Sequence, residues 1–324
     1  MPPTQPTRIA ITPQTAHPDA TKTYADTCWR ANPHISPDSW REWEGFTVGK
    51  VALLVTPATA PFLRQAWEDG INLWLVLPSA IRAVAEVLRD TAIKPILVGI
   101  WPWQTNTLAP DFSPLPLTAL LPVLPETPLA PEALLPLLEH LENQVKQGKI
   151  GCYGLAAEGL IHPATSPTFL NIRTIMEHAR TATHTIWQRH KRPALRLLAV
   201  PCNVLETAAV QEHNTLLTDD TLASVVDYAV QAHLGVLALR PLTAHTPQGM
   251  ALLTDATAAG QHLKTLLTPH LPTPWQDKPL ASIALNAAAS WPGITAAVLD
   301  MPLLDAIPPV YTGGDFADMA TLIG

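Results

Sequence analysis

Apolar positions from about Phe46 onward fall into short unbroken runs separated by stretches of helical spacing. This alternation predicts parallel strands buried on both faces, with helices between them. KVALLV (Lys50 to Val55) is the first strand. Pro61, Phe62, Leu63, Ala66 and Trp67 then recur at helical spacing, with proline at the start and Gly70 just past the end, where a left-handed cap suits glycine. INLWLVL (Ile71 to Leu77) repeats the unit, and Ile81, Val84, Ala85 and Leu88 form the stripe of a helix over residues 79–89 with Ser79 as its cap. KPILVGI (Lys94 to Ile100) is the third strand. The segment after it carries Pro102, Pro110, Pro114 and Pro116. Interior prolines cost a helix about 3 kcal/mol each, so one outer helix is missing or replaced.

LTALLPVL (Leu117 to Leu124) is a fourth strand, although Pro122 is awkward inside a central one. Pro131 opens an amphipathic helix through Leu134, Leu135, Leu138, Leu141 and Val145 that Gly148 closes. IGCYGLA (Ile150 to Ala156) is strand five, Thr168 to about His190 a long helix, and LRLLAVPC (Leu195 to Cys202) strand six. Thr218 or Asp219 caps a helix carrying Leu222, Val225, Val226 and Ala229, followed by strand seven in GVLALRPL (Gly235 to Leu242). Helical stretches near 248–267 and 278–290 precede strand eight, ITAAVLD (Ile294 to Asp300). Eight strands predict a single (β/α)8 TIM barrel over residues 46–324. An open doubly wound sheet is the alternative, but no G-x-G-x-x-G turn follows strand one. Residues 1–45, rich in Pro, Thr and Asp with Cys28, Trp29, Trp40 and Trp43 interspersed, show no sustained period and read as an irregular N-terminal arm.

Composition narrows the partners. The 324 residues are 47% apolar, and 20 Lys+Arg against 27 Asp+Glu leave a net charge of −7. A basic footprint is missing and no Lys/Arg run marks a local one, so nucleic acid is not expected. Charged residues are only 15% and prolines number 34, giving a surface of Thr, Ala, Gln and Pro, unusual for a free monomer. Pro, Thr or a charge interrupts every apolar stretch short of about 18 residues, so no membrane insertion is expected. MPPTQPTRIA lacks a basic start leading into an apolar run, which makes a cytoplasmic address the expectation. Cys28, Cys152 and Cys202 are too few and scattered for a disulfide framework and read as free thiols. Cys28 with His34, or Cys202 with a loop histidine, would be metal candidates. No histidine pair has H-x-x-x-H or H-E-x-x-H spacing, and no metal is expected. Asp219 and Asp220, just before a helix, read as capping residues rather than an acid/base pair.

The second half carries a family signature. ENQVKQGKIGCYGLAAEG (Glu142 to Gly159), VVDYAVQAHLGVLALRPL (Val225 to Leu242), WPGITAAVLDMP (Trp291 to Pro302) and LPETPL (Leu124 to Leu129) occur in order and at fitting intervals. Together they resemble the aldo-keto reductases, from about Leu117 to Ile307 and more weakly from Phe46 to Ile100. The resemblance implies an NADP-dependent reductase fold with its site at the C-terminal mouth of the barrel. In that family a tyrosine protonates the carbonyl as hydride arrives, tuned by a lysine and an aspartate and assisted by a histidine.

This chain departs from that pattern at all four positions. The resemblance places the aspartate at the end of strand two after Gly-Ile-Asn, but Gly70, Ile71 and Asn72 are followed by Leu73, Trp74, Leu75, Val76 and Leu77. No tyrosine lies between Tyr24 and Tyr153. The lysine position falls near Ile100, and the only lysine between Lys50 and Lys146 is Lys94, at the other end of its strand. The histidine position falls near Pro122 or Val123, and no histidine lies between His34 and His140. General acid help of this kind is worth about 10² to 10⁴ in rate. No catalytic residue is therefore assigned.

Cofactor positions are eroded too. Ala156, Ala157 and Ala199 stand where the resemblance expects polar contacts to the nicotinamide amide, and Asp300, Met301 and Pro302 where it expects a phosphate-binding turn. Asn203 and the Arg240 to Leu242 segment survive as residual cofactor-binding candidates. No cofactor is expected, or NADP if the chain is a divergent oxidoreductase with a relocated donor such as Tyr153 or an arm residue. Trp101 and Trp103 just after strand three either line a pocket at the mouth or plug it. Glu158, His162 and His245 overhang the same mouth; Glu158 with Asn203 and Arg240 would make a repurposed site, and in a small-molecule binding module the ligand would lie between Trp101, Trp103 and Arg240. Trp29, Trp40 and Trp43 either meet a protein partner or close the barrel. The reading is a non-catalytic binding or regulatory barrel.

Overall fold

The computed structural model describes residues 16–31, 35, 37–89, 91–104, 107–246, 249–271 and 273–300. Helix α1 (Pro18–Ala31) leads to a hairpin of β1 (Trp40–Trp43) and β2 (Phe46–Gly49). Then follow β3 (Val51–Val55), α2 (Leu63–Glu68), β4 (Leu73–Val76), α3 (Ile81–Arg89), β5 (Ile96–Pro102), β6 (Ala119–Val123), α4 (Leu135–Lys146), β7 (Cys152–Ala156), α5 (Ile172–Trp187) and β8 (Leu195–Pro201). The last part holds α6 (Ala208–Gln211), β9 (Thr215–Leu216), β10 (Leu222–Ala223), α7 (Val225–Gln231), β11 (Gly235–Leu239), β12 (Thr243–Thr246), β13 (Gly249–Leu252), α8 (Ala258–Leu267), α9 (Thr273–Gln276), α10 (Leu280–Ser290) and β14 (Ala296–Leu299). Strands β3, β4, β5, β6, β7, β8, β11 and β14 pair in that order, all parallel, and β14 closes back onto β3. This is the (β/α)8 barrel that the alternating runs predict. No helix among the described residues is long and apolar enough to cross a membrane.

Alternation along each strand divides the core in two. Leu73, Leu75, Val98, Leu121, Leu197 and Leu237 fill the barrel interior, while Trp74, Leu97, Leu120, Leu155 and Leu198 face the helices. Gly70 (φ +88°) and Gly148 (φ +70°) end α2 and α4 in the left-handed region, as their spacing predicts. No helix separates β5 from β6 among the described residues. Pro122 is accommodated near the end of β6, where it pairs Trp101 and the ladder to β7 skips from Leu120 to Val123.

Several local expectations need correction. The cap of α7 is Ser224, whose hydroxyl accepts from the Asp227 amide while Asp227 reaches back in a capping box. Leu222 and Ala223 form a short strand instead, and the Asp219 carboxylate serves its own turn by accepting from Thr221. Ser79 does not cap α3, because Pro78–Ala80 is already a 3-10 turn. The region before α8 is a β-hairpin, β12 with β13, rather than helix.

Among its described residues the N-terminal arm is regular, a helix and a β-hairpin. Thr21, Tyr24 and Ala25 are the buried face of α1, a stripe too short to show as a period in the sequence. Tyr24 stacks on Trp67 at 3.9 Å, meets Trp40 edge-on at 5.8 Å, and donates its hydroxyl to the Trp67 carbonyl. The β1–β2 turn places Glu44 (φ 49°) and Gly45 (φ 88°) both at positive φ, as a two-residue hairpin of primed type requires. This hairpin plugs the bottom of the barrel: Trp43, Phe46 and Val48 join the interior cluster, and the Trp43 indole donates to the Arg196 carbonyl at 3.2 Å. Trp40 and Trp43 therefore serve closure. Trp29 stays 37% exposed with Arg30 over its ring.

Beneath the plug, Glu44 pairs with Arg196 at 3.2 Å, both side chains almost completely buried. Burial pushes the Glu44 carboxyl above its ordinary value, with Arg196, Arg192 and His233 pulling the other way. A folded-state value above the unfolded one penalises ionised Glu44 at neutral pH and relieves that penalty as pH falls. Relative to Glu44→Gln, the wild type is expected to gain stability between pH 7 and about 4, read by urea denaturation across that range. A Cβ on Gly235 would lie 2.6 Å from the Trp43 indole nitrogen. Gly235→Ala is expected to lower stability by about 1–3 kcal/mol by displacing the plug, visible as a lower denaturation midpoint with quenched or shifted tryptophan emission.

Candidate functional site at the barrel mouth

Carbonyl-reducing residues would project from the C-terminal ends of β4, β5 and β6. Leu75 is fully buried inside the barrel there, Ile100 nearly so, and Leu77 and Val123 pack against the same interior cluster. Lys94 sits at the far end, donating its ammonium to the carbonyls of Leu88 (2.5 Å) and Thr91 (2.7 Å). Tyr153 faces the helices, completely buried, and donates to Glu142 at 3.1 Å. That carboxylate also accepts from Thr183, Trp187 and the Ala194 amide. Burial first, then Glu142, pushes the Tyr153 phenol well up, so it is bound in a structural network away from the mouth. Tyr24 is likewise buried under the arm and Tyr228 lies on α7. Tyr311 lies outside the described residues.

What the mouth does hold is an ion cluster centred on Arg240. Its guanidinium meets Glu158 through two bonds, Nη1 to Oε2 at 3.3 Å and Nη2 to Oε1 at 3.2 Å. Nη2 also donates to Glu206 Oε1 at 3.0 Å, and Nη1 to His245 Nε2 at 2.9 Å. A guanidinium has no acceptor, so His245 accepts at Nε2 and carries its proton on Nδ1. Asn203, completely buried, donates to Glu206 (2.6 Å) and to the carbonyls of Arg240 (3.1 Å) and Thr243 (2.9 Å), while its own oxygen receives the amides of Leu205 and Glu206. Arg240 itself stands at φ +56°, a left-handed conformation that a branched network such as this one must hold in place.

Carboxylates outnumber the cation. Burial raises the Glu158 carboxyl, but hydrogen bonds and charge from Arg240 outweigh it and hold the group below its ordinary value. Glu126 is pushed up chiefly by hydrogen bonding to and charge repulsion from Glu158. Burial raises Asp300 as well, against its backbone hydrogen bond and Arg240, and its Oδ1 is buried without a hydrogen-bond partner among the described residues. Glu158, Glu206 and His245 have ligand atoms within 4.8 Å of one another. The Arg240 guanidinium already occupies the centre of that set as its cation.

The sequence-derived candidates divide. Glu158, Asn203, Arg240 and His245 are brought together; His162 is not, its Nδ1 paired with Thr168 Oγ1 at 2.6 Å to hold a loop. Leu242 is fully buried and packs in the outer core. Trp101 neither lines nor plugs the mouth. Strand alternation turns it away from inward-facing Ile100 and sets it edge-on to Phe112 at 6.4 Å, and Trp103 is buried in the same outer core. Glu126 and Glu206 were missed, although both follow barrel strands at their C-terminal ends, where loop residues of such barrels gather. Cys202 is completely buried, and burial pushes its thiol up to about 12. His34, Met301 and Pro302 lie outside the described residues.

Known structures share this architecture. An aldo-keto reductase, MGS-M4, from a Medee basin deep-sea metagenome library matches at 12% identity and a TM-score of 0.51, over 84% of this chain and 89% of its own. A thermostable aldo-keto reductase, Tm1743, solved with the inhibitor epalrestat, matches at 12% identity and 0.55, over 87% and 99%. An aldo/keto reductase from Brucella melitensis matches at 10% identity and 0.52, over 87% and 98%. No protein-family model matches the sequence, and no curated protein matches it significantly. The fold is aldo-keto reductase-like.

That fold implies a nicotinamide dinucleotide, and the described mouth residues do not fit one. The Nη groups of Arg240 are committed to Glu158, Glu206 and His245, and the Asn203 amide to Glu206 and two backbone carbonyls. The methyl groups of Ala156 and Ala199 face the interior in place of amide-binding groups. Glu126, Glu158, Glu206 and Asp300 set an acidic rim against a dinucleotide's phosphates.

Arg240→Gln leaves Glu158 and Glu206 without their shared cation, and is expected to lower stability by about 1–3 kcal/mol at pH 7. Because Glu158 titrates low when folded, its contribution is full above the unfolded value and lost as pH falls through the depressed one. The gap between wild type and variant should therefore narrow below about pH 4, as measured by chemical denaturation.

Proposed function

We propose that this chain is an aldo-keto reductase-like pseudoenzyme, a non-catalytic binding or regulatory protein built on a reductase barrel. The observation that carries the reading is the ring of aliphatic side chains, buried Leu75 and Ile100 with partly buried Val123, where proton transfer would need an acid, a lysine and a histidine. Proton donation requires a group within hydrogen-bond reach of the substrate oxygen. Each described tyrosine is instead buried away from the mouth. The acidic rim and the engaged Arg240 and Asn203 support the same reading for the cofactor. The sparse surface charge, 15% of residues, supports a protein partner.

Calorimetric titration with NADPH tests this. No saturable binding is expected up to about 1 mM, the upper end of ordinary Michaelis constants, and no NADPH oxidation with simple aldehydes. Stoichiometric binding together with aldehyde-dependent turnover would return the chain to the NADP-dependent oxidoreductases.

A further inference from the structure

The bottom of the barrel, opposite the mouth, carries a concentration of positive charge that the net charge of −7 conceals. Gln188, at φ +52°, ends α5 in the left-handed region, and the chain then doubles back through Arg189, His190, Lys191 and Arg192 into β8. These residues, with Arg180 and His184 from α5, line a cleft of about 440 Å³. The expectation that no Lys/Arg run exists needs correction here: three of the four residues from Arg189 to Arg192 are permanently cationic.

Helix polarity explains one or two basic groups near the end of α5, and Trp187 explains part of the rest. Its ring lies under the Lys191 ammonium at 3.3 Å and the Arg189 guanidinium at 5.4 Å, while its nitrogen is anchored on Glu142 at 2.8 Å. Arg192 is held by the carbonyls of Ala232 (2.8 Å) and His233 (3.1 Å). Those contacts position the charges, and none of them is an ion pair. Among the described residues, neither Arg180, Arg189, Lys191 nor Arg192 forms an ion pair, and no carboxylate lines the cleft. Crowding is felt: burial first, joined by Arg189 and Arg196, holds the Lys191 ammonium below its usual value against the opposing pull of the Glu142 carboxylate.

We propose that this cleft binds a small soluble molecule carrying at least two phosphoryl groups. Guanidinium forks match phosphate oxygens in paired hydrogen bonds, and four permanent cations around one cleft ask for more than a single phosphate's charge. The volume is that of a small-ligand site. The inference does not depend on the pseudoenzyme reading, since it concerns the other end of the barrel.

Inorganic pyrophosphate is the probe, titrated into the full chain by calorimetry at low ionic strength. The expected result is saturable binding at one site, weakened about tenfold or more in the double variant Arg180→Gln/Arg189→Gln and unchanged in Arg173→Gln, whose guanidinium lies on the same helix beside Glu177. Arg180 and Arg189 are exposed, and Arg180→Glu gives a second variant in which charge reversal weakens binding further; circular dichroism confirms folding of each. The proposal is overturned if wild type shows no saturable binding, if the double variant binds equally well, or if a single-stranded oligonucleotide binds while pyrophosphate does not.

Discussion

A closed parallel barrel encloses a channel that only inward-facing side chains can fill, and every second residue of eight strands is committed to that task. In this chain the filling is apolar from the plug to the rim: Val48 and Phe46 below, Leu73, Leu75, Val98 and Leu121 in the middle, Ile100 and Val123 above. Packing of this density stabilises the barrel by roughly 25 cal/mol for each Å² of apolar surface removed from water. On the proposed reading it leaves no room for the charged and hydroxyl-bearing groups that reductive chemistry needs at the same depth. Stability and catalysis compete for such positions, and packing holds them in that reading.

Polar residues are consequently displaced to the two ends. At the mouth one guanidinium joins loops that follow β7, β8 and β11, with Asn203 stitching two of them through backbone carbonyls. At the bottom a buried pair, Glu44 with Arg196, holds the hairpin plug, and unneutralised cations gather alongside it. The two ends differ in sign, acidic above and basic below, although the whole chain shows only a modest negative excess.

Strands were the most legible part of the sequence, because runs such as LRLLAVP and GVLAL are buried on both faces and bounded by polar turns. The absent helix after β5 was legible from its prolines. Helix α1 was not, since three buried residues make too brief a stripe, and neither was the β12–β13 hairpin, where Ala244 is the only buried residue among those described. Trp101 and Trp103 were misplaced for a physical reason: position at a strand's end says which rim a residue is near, while strand parity decides whether it looks inward. For the mouth, Glu158, Asn203 and Arg240 were readable from their place after strands. Their mutual bonding, and the participation of Glu126 and Glu206, required knowing how the loops fold back.

Arg240 reaches its neighbours from a left-handed backbone position that an ordinary residue enters only under constraint. The loops it tethers are consequently not separate flaps. Tugging on any one of them is transmitted to the others through a single side chain, so anything settling on the upper rim would encounter one coherent surface, whose yielding is all or nothing.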